Sequence, residues 1–138
     1  MPRIAIVHTY YVRPGGAESV CLNIIEALQA DHEITVVSYS DFDIETLNGF
    51  FDTGVSDSVT VVTLPWPYRL FGRRLYMGRM VLLNWYVNRR ATEFDLLISS
   101  KNEFNFSTPS IQYINSPDFR DLHQNGSKYY YNKLCEKL

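Results

Sequence analysis

Along the chain, short runs of Ile, Val and Leu alternate with longer stretches in which apolar residues return every three or four positions. The runs IAIVH, ITVVS, VTVVTL, LLISS and IQYIN are each bounded by polar or turn residues and predict buried strands. Between the first two, Ala17 to Ala30 sets Val20, Ile24 and Leu28 beside Cys21 and Ile25, with Glu18 in the first turn where the helix dipole favours an acid. That pattern predicts a helix. A second helix is expected over about Leu70 to Thr92, joining strands three and four, and a short one over Asp43 to Phe51, joining strands two and three. Such alternation implies right-handed crossovers and a parallel sheet covered on both faces. The expected fold is α/β, a Rossmann-like doubly wound parallel sheet with strand order 3-2-1-4-5. Beyond Ile114 come NSPDF, Asn125-Gly126 and SKYYYNKLCEKL, which reads as the start of a helix with no strand after it. The pattern therefore describes a single domain over residues 1–138, a Rossmann-like half whose remainder is missing or comes from another chain.

Composition narrows the class. A chain of 138 residues, 46% hydrophobic and 20% charged, has the material for one packed core and no stretch biased enough to stay unfolded. The longest apolar run, Met80 to Val87, is interrupted by Asn84 and falls far short of the ~20 residues that cross a bilayer. The N-terminus enters a strand pattern at once, without the basic flank and cleavage site of a signal peptide, so a cytoplasmic setting is expected. Cys21 and Cys135 lack CxxC spacing and read as buried thiols, and His8, His32 and His123 form no ligand cluster, so no metal is expected.

The chemistry of interest lies in RPGGAE, Arg13 to Glu18, between strand one and its helix. In an open parallel sheet, ligands sit beyond the carboxyl ends of the strands where the strand order reverses, and this loop occupies that point. Paired glycines there mean either a backbone conformation that other residues avoid or a ligand that must come close to the backbone. Leading into a helix, they aim N–H groups and the positive end of the dipole at an anion, and a phosphate-bearing ligand is the expected guest. The plainer alternative is a simple strand-to-helix turn. Two familiar phosphate loops are excluded: Ala17, Glu18, Ser19 and Val20 supply no third glycine for a dinucleotide fingerprint, and the loop lacks the lysine of a Walker motif.

VHTYYVRPGGAESVCLNIIEALQADHEITVVS, with FDLLISSKNEF and IQYINSPDF further on, resembles the N-terminal domain of family 4 glycosyltransferases of the GT-B fold. The likeness spans most of the chain, least clearly Asp41 to Tyr68. It implies a retaining transferase that moves a sugar from a nucleotide-sugar, as co-substrate rather than cofactor, to a saccharide or lipid-linked acceptor. In that scheme Gly15 and Gly16 line the cleft against the donor diphosphate, and His8, Tyr10, Arg13 and Asn115 belong to the acceptor-side cleft. Asn115 stands where many members carry a histidine close to the transferred sugar; asparagine hydrogen-bonds but carries no proton at neutral pH, so it is a weak catalytic candidate. The family's C-terminal donor domain has no counterpart here, which implies that the chain alone is inactive and needs that domain in cis or trans.

Ser58 to Thr92 contains no acidic residue but holds Arg69, Arg73, Arg74, Arg79, Arg89 and Arg90 among Trp66, Tyr68, Phe71, Tyr76, Trp85 and Tyr86. A basic, aromatic, amphipathic helix suits an anionic membrane surface, with Arg69, Arg73, Arg74 and Arg79 facing the lipid. The alternative is a crossover helix that packs Leu75, Leu82, Leu83 and Val87 on the sheet while its arginines snorkel outward. A net charge of −2 and the absence of a binding motif speak against nucleic acid. Two functions stand side by side at this point: the acceptor domain of a glycosyltransferase, and a non-catalytic membrane-associated binding subunit of a split one.

Overall fold

The computed structural model describes residues 1–9, 14–41, 43–67 and 76–114. Strands β1 (Arg3–His8), β2 (Glu33–Ser38), β3 (Thr60–Thr63), β4 (Leu96–Ser99) and β5 (Ser110–Gln112) form one sheet in the order β3-β2-β1-β4-β5. Every pairing is parallel, and Ile6 lies level with Val36 on one side and Ile98 on the other. The helices are α1 (Gly16–Leu28), α2 (Ile44–Phe51) and α3 (Tyr76–Arg89), followed by a short 3-10 turn at Ala91–Glu93. The chain steps one way across the sheet from β1 to β3 and the other way from β3 to β5, so right-handed connections put the early and late helices on opposite faces.

Period-two alternation along the strands sorts the core accordingly. Ile4, Ile6, Ile34, Val36 and Ile98 pack with Cys21, Leu22 and Ile25 of α1 and Leu47 of α2. Ala5, Val7, Val37 and Leu97 point the other way, against Met80, Leu83 and Val87 of α3 and Phe104. Asp43 starts α2 as its N-cap, accepting from the Thr46 N–H at 3.2 Å. Among the described residues no helix is long and apolar enough to cross a membrane.

Two local expectations change, and a third lies partly outside the described residues. The buried face of α1 runs through Ala17, Glu18, Cys21, Leu22 and Ile25, whereas Val20, Ile24 and Leu28 are only half-buried. The helix is rotated toward its acidic residue, because Glu18 finds partners inside that an apolar pattern does not reveal. The last strand pattern, IQYIN, gives only a three-residue β5 whose Ile111 is 56% exposed; among the described residues this strand is paired on one side alone. The second long helix, expected from about Leu70, is described from Tyr76; Leu75 lies outside the described residues.

Candidate functional site

Two polar clusters sit at the carboxyl ends of β1 and β4, one on each face of the sheet, where the strand order reverses. His8 ends β1 on the α1 face and has no exposed surface. Its Nε2 lies 3.4 Å from Oε1 of Glu18, and its Nδ1 lies 2.9 Å from Oγ of Ser100. The same Glu18 oxygen accepts from Nζ of Lys101 at 3.0 Å. Strand pairing of β1 with β4 brings residues 92 and 83 positions apart into contact here. On the other face, the Thr9 hydroxyl donates to Oδ1 of Asn102, and the Ser99 hydroxyl donates to the Asn102 carbonyl. Asn102 and Thr9 are both buried.

Protonation states follow from the partners. Burial would push the Glu18 carboxyl up, but hydrogen bonds from His8 and Lys101 and the charge of Lys101 outweigh it and hold the group at about 2. Glu18 is thus an ionised acceptor, and Nε2 of His8 must carry the hydrogen that faces it. Nδ1 then accepts from the Ser100 hydroxyl. Burial lowers the proton affinity of His8 below the ordinary imidazole range, against the opposing pull of Glu18, so the ring is neutral at physiological pH. Burial also pushes the Cys21 thiol, which packs beside Ser100, up to about 12 and leaves it unreactive.

The glycine loop ends on this cluster. Gly15 is the N-cap of α1 with φ −155° and ψ −176°, an extended conformation open to any residue, and no side chain among the described residues caps the helix. A Cβ built on Gly16 would meet no atom within 4 Å among the described residues, and Gly16 has no positive φ. Among the described residues no positive φ calls for the pair, which leaves close approach to the backbone beside a simple strand-to-helix turn.

Gly15 and Gly16 are joined to His8 through Glu18, three residues beyond the cap. His8 is sealed inside with both ring nitrogens engaged, so a ligand in the crevice would feel it through Glu18 and Lys101. Tyr10, Arg13, Asn115, Arg69, Arg73 and Arg74 lie outside the described residues. Arg79 sets its guanidinium 5.5 Å from the ring centre of Tyr39, which is buried at the end of β2. Farther along α3, Arg89 stacks at 4.9 Å on the exposed Trp85, and Arg90 lies over Tyr86 at 5.7 Å while binding both Glu93 oxygens.

Sequence reasoning missed Ser100, Lys101, Asn102 and Thr9, and treated Glu18 only as a first-turn acid. A signal was present. SSKN follows the fourth strand directly, so the rule that selected RPGGAE, when applied to the end of the neighbouring strand, selects these residues too. No family model and no curated protein matches the chain.

Proposed function

We propose that the chain is the acceptor-side, N-terminal domain of a GT-B-type glycosyltransferase, acting with a nucleotide-binding donor domain in cis or in trans. The observation that carries this reading is the glycine at position 16. A glycine costs up to about 1 kcal/mol relative to alanine inside a helix and less at its head, yet among the described residues neither packing nor dihedral angle calls for one. A ligand that meets the backbone accounts for that cost. The surrounding geometry supports the same reading: the turn stands at the reversal point of a parallel sheet, no side chain among the described residues caps its helix, and Lys101 adds a cation beside it. The test is backbone amide NMR of the 138-residue chain titrated with inorganic pyrophosphate. Shifts centred on Gly15, Gly16 and Ala17 are expected at millimolar ligand, and no shift there would reject the anion site. Sugar transfer is expected only where a donor domain supplies the facing wall of the cleft, since donor and acceptor must be held in line across it.

The second reading, a membrane-associated binding subunit of a split transferase, draws on the outer face of α3. There Trp85 is 42% exposed and carries the Arg89 guanidinium stacked on it, an aromatic and cationic pair suited to a lipid headgroup boundary.

A further inference from the structure

The cluster at the head of α1 has an asymmetry that bears on how the proposed site would work. Glu18 spends a single oxygen, Oε1, on two donors of different kinds. One is His8, with no exposed surface; the other is Lys101, whose side chain is 24% exposed. If Lys101 left, Glu18 would keep a donor, but it would lose the one formal positive charge that faces it among the described residues, and a buried carboxylate is costly without one. His8 can supply that charge without moving. A proton added at Nδ1 would be donated to Oγ of Ser100, whose hydroxyl is already 3.4 Å from the Val7 carbonyl and can turn to donate to it. The chain then reads Val7 carbonyl, Ser100, imidazolium, Glu18, with each hydrogen between a donor and an acceptor.

We infer that Lys101 is the exchangeable member of this cluster: a phosphate-bearing ligand in the crevice draws its ammonium from Glu18, and His8 takes a proton from solvent to replace it. The inference rests on the anion-binding reading above and adds its regulation. The exchange conserves charge, since one cation leaves the carboxylate as another forms beside it, and ligand binding becomes linked to proton uptake. Among the described residues, the other groups facing His8 do not compete for that role. Cys21 on α1 stays a neutral thiol, and the register partner on β2 is Ser38, which does not titrate. Removing Lys101 also removes a charge that lowers the proton affinity of His8.

The test is the imidazole NMR titration of His8 in the 138-residue chain, assigned with the help of His32→Gln and His123→Gln. Lys101→Met should raise the proton affinity of His8 by about tenfold or more, while Lys101→Arg should leave it near the parent value. At a fixed pH near 6, saturating the parent with inorganic pyrophosphate should move the His8 signal toward imidazolium, and the Lys101→Met protein should show little further change. A His8 titration identical in parent and Lys101→Met overturns the coupling. Pyrophosphate bound at Gly15 and Gly16 with His8 still neutral overturns the exchange while leaving the site. Absence of pyrophosphate binding at any pH overturns the anion-site reading and the exchange with it. If Lys101→Met does not fold, the parent titration with pyrophosphate decides alone.

Discussion

Replacing Glu18 by glutamine keeps the shape of the side chain and an oxygen for His8 and Lys101, but removes the charge. The absolute loss depends on how the amide packs; its change with pH does not. Carrying a carboxyl from its ordinary 4.5 to about 2 on folding stabilises the protein by ~3 kcal/mol at neutral pH, at about 1.36 kcal/mol per tenfold change in proton affinity. The sign is that of a depressed acid: the stabilisation is complete well above 4.5 and is lost as pH falls toward 2. Linkage gives a loss of ~0.8 kcal/mol by about pH 4 and ~2 kcal/mol by about pH 3. His8 acts in the same direction and earlier, because the unfolded chain takes up that proton first as pH drops through 6.5. Glu18 raises the proton affinity of His8, so in the variant His8 costs more on acidification and works against the shrinkage due to the carboxyl. The assay is urea unfolding of parent and Glu18→Gln in a pH series, followed by circular dichroism and by tryptophan fluorescence. The stability gap between the two should shrink by up to ~2 kcal/mol from neutral pH to about pH 3. A gap that stays constant, or widens, as the solution is acidified would refute the buried ion pair as the origin of Glu18's low proton affinity.

Gly16→Val should leave the fold stable to within ~1 kcal/mol, because a Cβ there meets nothing within 4 Å among the described residues. The same variant should weaken pyrophosphate binding, and undiminished binding would return the loop to a simple turn. Cys21, with a thiol at about 12 and no exposed surface, should react with an aromatic disulfide reagent only after denaturation; rapid native labelling, mapped to Cys21 by digestion, contradicts the burial. For the membrane reading, sedimentation with vesicles should rise with anionic lipid, fall with salt, and be lost when Arg73, Arg74 and Arg79 are changed together to glutamine, each basic residue contributing about 1 kcal/mol. Arg79 also lies over Tyr39, so Arg73→Gln with Arg74→Gln is the control that leaves this contact intact. Equal binding by mutant and parent returns α3 to an ordinary crossover helix.

The sequence alone determined the elements and their order in the sheet. Runs such as IAIVH and LLISS are apolar on both sides because both faces of a parallel strand are covered, and alternation with helical stretches under right-handed chirality leaves few ways to arrange five strands. The order β3-β2-β1-β4-β5 was legible for that reason. The place of the loop at the reversal point was legible too, since it depends only on that order. Tertiary structure decided what lies beneath the loop. Glu18 and Lys101 are 83 residues apart, and His8 and Ser100 are 92 apart; only the register of β1 on β4 makes them neighbours. Hydrophobic periodicity picked out Cys21 and Ile25, which are buried, beside Val20, Ile24 and Leu28, which are half-buried, and passed over Glu18, because periodicity weighs apolar residues and is blind to a carboxylate whose partners arrive from another strand. It was equally blind to the edge: IQYIN has the composition of a buried strand, yet β5 is exposed because burial depends on what stands beside a strand as well as on what it contains. Composition and spacing thus fix which segments become strands and helices, while the charges that share one oxygen at the head of α1 are set by chain pairing across the sheet.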